Sequence, residues 1–335
     1  MKRLYTGNVV YGSLPEGCKL CLRGLKSVVF VTGICPRSCF YCPINNEKKG
    51  RDVIYVNEKP VDDISKIVVE VALSGSRGIG LTGGDPLFKL DRLIAIVKTV
   101  KKVFGPKFHV HLYTTGKNLT LNTLELLESL NIDELRIHPD PSDMERILNL
   151  IENYNKDTLK IGFEIPIFPN NLNNLINLID KISRYRNVNF INVNELEFSE
   201  SNSAELKARG YSISDDWKTA EGSHTTAIQF LHEIELRSPK LNVHYCPANS
   251  KDNYQVRLRW YRRGILTARS HEIVSDEGTI LKAIISETCE RIPSTLVVKG
   301  HIGSETSLVL AESYGAEYRL VEELPDYKRT LLNIL

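Results

Sequence analysis

The sequence predicts an α/β protein, a partial, open parallel β/α barrel followed by a small α+β appendage. Between residues 28 and 248, short strand-period segments alternate with amphipathic segments of helical period, the signature of consecutive βαβ units and a parallel sheet. Seven strands and six crossings can be counted, fewer than the eight of a closed barrel. On four of the strands the polar residues share one face, as expected if that face lines a lumen.

Taken in order, residues 1–27 read as an irregular N-terminal extension rich in glycine and carrying the pair Cys18-x2-Cys21. The first strand is Val28 to Val31, ended by Thr32-Gly33. A helix over 61–75, stopped by Gly75, leads to the second strand at 78–84. Helices at 90–105, 120–131, 142–155 and 171–185 then separate strands at 107–116, 134–139, 160–169 and 188–198. After a Ser/Asn/Asp-rich stretch, a helix at 225–238 precedes the last barrel strand, 241–246. Residues 249–264 form a basic helical linker, and 265–335 a small α+β domain of strands (ILTARSHEIV, TILKAIIS, STLVVKG, AEYRLV) and one helix (SETSLVLAESYG).

Strand phase sets Val110 and Leu112 against His109, His111 and Tyr113, and Leu135 and Ile137 against Arg136 and His138. It sets Ile161, Phe163 and Ile165 against Glu164, and Val243 and Tyr245 against Asn242, His244 and Cys246. With the apolar faces on the helices, the lumen is polar and reads as a hollow active site.

At 335 residues and 42% hydrophobic content the chain can bury a large core, and a net charge of +2 excludes a globally polyanion-binding character. No apolar run suits a signal peptide or the ~20 residues of a membrane span, so a cytoplasmic protein is expected. Seven cysteines, an odd number concentrated in the first 42 residues, suit metal ligation in a reducing compartment better than a disulfide framework.

The chemistry concentrates in the loop after the first strand, where Cys35, Cys39 and Cys42 are spaced C-x3-C-x2-C. Three soft thiolates in one loop suit zinc or an iron–sulfur cluster. A four-iron cluster on three cysteines keeps one iron open, whereas structural zinc is normally closed by four protein ligands.

The pattern Cys35-x3-Cys39-x-Tyr41-Cys42 after a first strand resembles the signature of the radical S-adenosylmethionine (radical SAM) superfamily. Within it, the chain looks like a largely archaeal group related to pyruvate formate-lyase activating enzymes. The resemblance implies a partial barrel in which Cys35, Cys39 and Cys42 hold a [4Fe-4S] cluster and SAM chelates the open iron. It further implies reductive cleavage of SAM to a 5′-deoxyadenosyl radical, Tyr41 packed near the adenine, and a flavodoxin- or ferredoxin-like electron donor. Thr82-Gly83-Gly84-Asp85-Pro86 resembles the family's segment that holds the SAM amino group through Gly83, Gly84 and Asp85, with Asp85 where a glutamate is more usual.

Arg136 and Glu164, on neighbouring strands, read either as ligands for SAM or substrate or as an internal salt bridge. A bulge near Asn194 would aim Glu195 and Glu197 at the open end, making Asn194, Glu195 and Glu197 substrate-side candidates. Cys18, Cys21 and Cys246 form a second constellation, for either a second iron–sulfur cluster or a zinc site completed by His244 or Cys289. The stretch 251–264 interleaves Lys251, Arg257, Arg259, Arg262 and Arg263 with Tyr254, Trp260 and Tyr261, which suits RNA as well as a solvated helix face.

The substrate expected is thus an RNA nucleoside or a protein residue. The competing class is a non-catalytic zinc or iron–sulfur protein that binds nucleic acid.

Overall fold

A computed structural model describes residues 1–154, 156–270, 272–285 and 318–334. The chain opens with β1 (Lys2–Arg3), β2 (Val9–Tyr11), α1 (Glu16–Leu22) and β3 (Lys26–Thr32). A hairpin, β4 (Ile54–Val56) and β5 (Lys59–Val61), precedes α2 (Ile64–Leu73) and β6 (Gly78–Gly83). The barrel continues through α3 (Leu90–Phe104), β7 (His109–Thr114), α4 (Leu121–Ser129), β8 (Glu134–Ile137), α5 (Met144–Glu152) and β9 (Lys160–Ile167). It ends with α6 (Leu172–Ile182), β10 (Val188–Glu195), α7 (Ser203–Ala208), α8 (Ser223–Arg237) and β11 (Asn242–Cys246). Then come α9 (Ala248–Ser250), a wide π turn (Lys251–Val256) and α10 (Arg257–Thr267), and finally β12 (Ile273–Val274), β13 (Ile280–Ile285), β14 (Tyr318–Glu323) and β15 (Leu331–Ile334).

The strands β3, β6, β7, β8, β9, β10 and β11 pair in parallel in that order, the seven expected, and β3 does not pair with β11. The sheet is an open barrel. Its two free edges are covered by antiparallel strands, β4 on β3 and β2 on β11, which protects them from pairing with another chain. Neither cover was foreseen. Residues 1–27 hold β1, β2 and α1 and are not irregular. The β4–β5 hairpin turns through Asn57 and Glu58, both at positive φ, a primed turn without the usual glycine.

The apolar strand faces do meet the helices. Val29, Leu81, Val110, Leu112, Leu135, Phe163, Ile191 and Val243 are buried against residues such as Ile67, Ile96, Leu124, Ile147, Ile179 and Phe230 in one continuous core. The opposite faces are polar, but the lumen is not hollow at this level, because α1 enters it. The Gly17 amide donates to Glu134 Oε1 at 2.7 Å, and a Cβ on Gly17 would lie 2.4 Å from His111 Nδ1. Only glycine admits the helix so close to the strands.

The helical segment after β11 runs from Ala248 to Thr267, further than the 249–264 expected. It packs on α1 through its π turn and on α2 through α10. Arg263, buried on α10, forms a two-pronged ion pair with Glu70 of α2, with Nε–Oε1 at 2.7 Å and Nη2–Oε2 at 3.0 Å. In the C-terminal region, β12 to β15 form an antiparallel sheet in sequence order. The strand expected over ILTARSHEIV is reduced to Ile273–Val274, because α10 continues to Thr267. The STLVVKG strand, the SETSLVLAESYG helix and Cys289 lie outside the described residues.

Candidate active site

The cysteine loop leaves β3 at Thr32 and returns to the same place. The Gly33 amide donates to Arg51 O and the Gly50 amide to Gly33 O, both at 2.8 Å, so the intervening residues form a compact loop with joined ends. A Cβ on Gly33 would lie 1.7 Å from Lys48 O. The end of β6 is pinned to this root: the Gly84 amide donates to Thr32 O at 2.7 Å and the Asp85 amide to Ile34 O at 2.8 Å. Gly83, at φ 135°, and Gly84 are glycines because the loop backbone already occupies the positions their Cβ atoms would take.

Cys35, Cys39 and Cys42 are unbridged and half-buried. Burial raises the Cys35 thiol pKa, against the lowering effect of the Arg37 backbone amide. Among the described residues no three His, Cys, Asp or Glu side chains lie close enough to share one metal ion. The donor set fits an iron–sulfur cluster, in which each cysteine bonds a different iron and the sulfurs stand apart.

Two contacts anchor the loop to the end of β8. The Tyr41 hydroxyl lies 2.7 Å from His138 Nε2, and Arg37 Nη1 donates to His138 O at 2.8 Å. Asn202 Nδ2 donates to Tyr41 O at 3.0 Å from the other side. Beside the loop opens a cavity of about 870 Å³, within the range of small-molecule sites. Its walls include Arg37, Cys39, Tyr41, Lys117, Asp140 and Tyr211. Phe40, Tyr41, Phe168 and Tyr211 form an aromatic cluster there, with the Tyr41 and Phe168 ring centroids 5.1 Å apart. The sequence reading missed this cavity except for Cys39 and Tyr41. The aromatics that follow the second cysteine and the fifth strand were its only signals.

Asp85 is not available to an ammonium group. It is fully buried, and its carboxylate accepts from Leu87 N, Thr114 Oγ1, Thr115 N and Thr115 Oγ1 at 2.5 to 3.1 Å. It caps the turn before α3 and ties it to the end of β7.

Arg136 and Glu164 form the internal ion pair, at 3.2 Å. All five guanidinium donors of Arg136 are spent, on Glu134, Glu164, Tyr113 and the Cys18 sulfur. The reading of Arg136 as a SAM ligand is therefore corrected. Glu164 accepts also from Asn192 and Asn194, both at 2.9 Å, and keeps partial exposure. Glu134, which the sequence reading overlooked, centres this network. Burial opposes its ionisation, but Arg136 and His109 outweigh it and hold the carboxyl well below its usual range. His111 Nδ1, buried above it, has no hydrogen-bond partner.

The substrate-side candidates are also corrected. The β9–β10 register is regular through Glu195, and its one irregularity lies between Val188 and Phe190. Without a bulge at Asn194, Glu195 is not re-aimed: it is buried, accepting from Tyr245 Oη at 2.8 Å and capping Ala248 N at 2.6 Å. Glu197 pairs with Lys218 and Lys251, and Asn194 serves Glu164. None of the three lines the cavity.

Several cations of the basic helix are paired within the chain, two of them on its exposed side. Lys251 pairs with Glu197, Arg257 with Glu277 and the Asp276 carbonyl, Arg262 with the Arg23 carbonyl, and Arg263 with Glu70. Those four cations do not form a free nucleic-acid face.

Comparison with known proteins agrees with the signature. A family model of the Radical SAM superfamily matches residues 29–166. A Methanocaldococcus jannaschii protein, provisionally named a glycyl-radical enzyme activating enzyme, is 38% identical over 284 residues, covering 82% of this chain and 74% of that one. A Methanococcus maripaludis protein, provisionally named GTP 3′,8-cyclase, is 28% identical over 40% of this chain and 42% of its own. The solved structure of coproporphyrinogen III oxidase (HemN) from Escherichia coli, described as a radical SAM enzyme, superposes at TM-score 0.40 and 12% identity. That superposition covers 67% of this chain and 56% of the HemN chain. Among the described residues no helix is long and apolar enough to cross a membrane. With the cysteine signature on its expected loop and a relative alike over most of both lengths, the chain belongs to the radical SAM superfamily and is an enzyme of that class.

Proposed function

We propose that Cys35, Cys39 and Cys42 hold a [4Fe-4S] cluster and that SAM binds beside them, for hydrogen abstraction from a residue of a protein partner. The observation that carries this is the docking of the three-cysteine loop, through Tyr41 and Arg37, on the rim of a cavity of about 870 Å³. When bound, cluster and SAM supply the hard chemistry, one-electron cleavage of SAM to a 5′-deoxyadenosyl radical. The protein's part is to hold, orient and exclude water.

In this reading the aromatic wall of Phe40, Tyr41, Phe168 and Tyr211 receives the flat adenine, and Arg37, Lys117 and Asp140 meet polar groups. The backbone of Gly83 and Gly84, set against Thr32 to Ile34, is the place for the SAM ammonium in preference to the Asp85 carboxylate. Glu164, the partly exposed member of the lumen network, faces substrate.

A protein substrate is favoured over an RNA nucleoside on two grounds. The M. jannaschii relative carries an activating-enzyme name, and on the basic helix that would have gripped phosphates Lys251, Arg257 and Arg263 already pair with carboxylates of this chain. An electron donor of flavodoxin or ferredoxin type completes the scheme. The same carboxylate pairing weakens the non-catalytic nucleic-acid-binding alternative.

The test is anaerobic reconstitution followed by reduction with dithionite in the presence of SAM, with 5′-deoxyadenosine measured. Formation in the wild type and loss in Cys39→Ser is the expected outcome. A reconstituted, reduced protein that leaves SAM intact would sink the reading.

A further inference from the structure

We propose that Asn202 is a positioning residue of the cysteine loop: from outside the loop it fixes the peptide between Tyr41 and Cys42, and so sets the direction in which Cys42 presents its sulfur. The inference rests on the functional reading above and on where one buried side chain makes its hydrogen bonds.

Asn202 is the N-cap of α7, a position where asparagine ordinarily bonds its own helix. Its side chain makes no such bond. Instead Oδ1 accepts from Ser199 N at 2.7 Å, and Nδ2 donates to Glu197 O and to Tyr41 O, both at 3.0 Å. The residue is 1% exposed, so water does not offer these groups an alternative. A backbone N–H only donates and a carbonyl only accepts, so the amide has one orientation: flipped, it would lose all three bonds. The bond to Tyr41 O crosses 161 positions of sequence, while the nearer helix goes without its side-chain cap.

Neighbouring contacts act on the same peptide. Cys42 N donates to Cys39 O at 3.1 Å, and Ser201 Oγ donates to Cys42 O at 3.3 Å. The planar unit between Tyr41 and Cys42 is therefore held at its carbonyl by Asn202 and at its N–H by Cys39, and the next carbonyl is held by Ser201. Little freedom remains in the two soft dihedrals of Cys42. The position needs such a hold: Cys42 lies nine residues after Gly33 and eight before Gly50, in the middle of the loop and far from its joined ends, whereas Cys35 stands two residues from Gly33.

The donors stand on a firm base. Leu196, Phe198, Leu206 and Ala220 form a small core of their own, separate from that of the barrel, and Phe40, Tyr41 and Tyr211 pack against it. Its root is tied to the barrel, since Leu196 N donates to Ser223 Oγ at 3.0 Å and Ser223 Oγ to Ile167 O at 2.8 Å. Phe198 N donates to Lys218 O at 2.7 Å and Ala220 N to Leu196 O at 2.8 Å, which closes the segment on itself. Residues 196–223 thus brace the loop from the side opposite His138.

The full chain is reconstituted without oxygen, and the release of iron to the chelator bathophenanthroline is timed alongside EPR spectra of the dithionite-reduced cluster, at a temperature where circular dichroism shows each variant folded. N202D keeps the acceptor for Ser199 N but sets a carboxylate, which cannot donate, against the two carbonyls. S201A removes only the hydroxyl on Cys42 O. Iron release about tenfold faster than in the wild type, with an altered EPR signal, is expected for N202D, and about threefold faster release for S201A. If Asn202 served only the turn at Ser199, N202D would release iron at the wild-type rate with the wild-type spectrum, and that result overturns the inference. Should N202D not fold, S201A decides: a rate and spectrum equal to the wild type overturn it. Failure of the functional reading alone looks different, because the wild-type cluster assembles and the variants lose it faster, yet SAM remains uncleaved throughout.

Discussion

The Tyr41 hydroxyl and His138 Nε2, 2.7 Å apart, join the cysteine loop to the end of the fourth barrel strand. His138 Nδ1 is 2.7 Å from Glu164 O, a carbonyl that can only accept. Nδ1 therefore carries the proton, Nε2 accepts from Tyr41, and burial, which lowers the His138 pKa, keeps the ring neutral. One neutral histidine thus sets the position of Tyr41, the residue directly before the third cysteine.

Tyr41→Phe removes that bond and keeps the ring packing. A stability loss of about 1 kcal/mol is expected from urea denaturation, with a fall of about tenfold in 5′-deoxyadenosine formation. Stability lost with the rate unchanged would show that the contact holds the fold only.

Asp85→Ala leaves Thr115 N and two threonine hydroxyls without their acceptor in a fully buried place. The cost is roughly 3 kcal/mol, since the lost bonds run to a charged group. Asp85→Asn, a near isostere, should still be destabilised, read as a lower urea midpoint at constant slope. An unchanged midpoint would return Asp85 to the list of ligand-binding groups.

Glu70 and Arg263 lock α10 onto α2 as a buried pair. Removing one partner strands the other charge, so Glu70→Gln is expected to cost about 3–5 kcal/mol. The double change Glu70→Leu with Arg263→Met should recover much of that loss, and the two midpoints compared give the check.

Burial holds His111 and His138 neutral, with pKa values below the ordinary 6.5. Below that pH the unfolded chain takes up protons that the folded chain refuses, so stability falls as pH is lowered. The slope is at most about 1.4 kcal/mol per pH unit for each histidine. Urea midpoints at pH 7.5 and 5.5 should differ in this sense, and His111→Gln should flatten the difference.

Local signals in the sequence were enough for the barrel. Period-two and period-3.6 patterning in Val110, Leu112, Leu135, Phe163 and Val243 is imposed by burial against helices, and the structure buries each of them. The cysteine spacing was equally local, since three thiols in one loop need no long-range contact to be recognised. What only the tertiary structure decided is how the polar groups pair. Asp85 looks free in sequence but has three donors brought to it by Thr114 and Thr115 at the end of another strand, and Arg136 has its donors spent on Glu134 beside it and on Cys18, Tyr113 and Glu164 from distant parts of the chain. The entry of α1 into the lumen depends on Gly17 meeting His111 and Glu134, residues of strands it does not neighbour in sequence. Apolar burial repeats along a strand and can be read there, whereas a buried charge is satisfied by whichever partner the fold delivers.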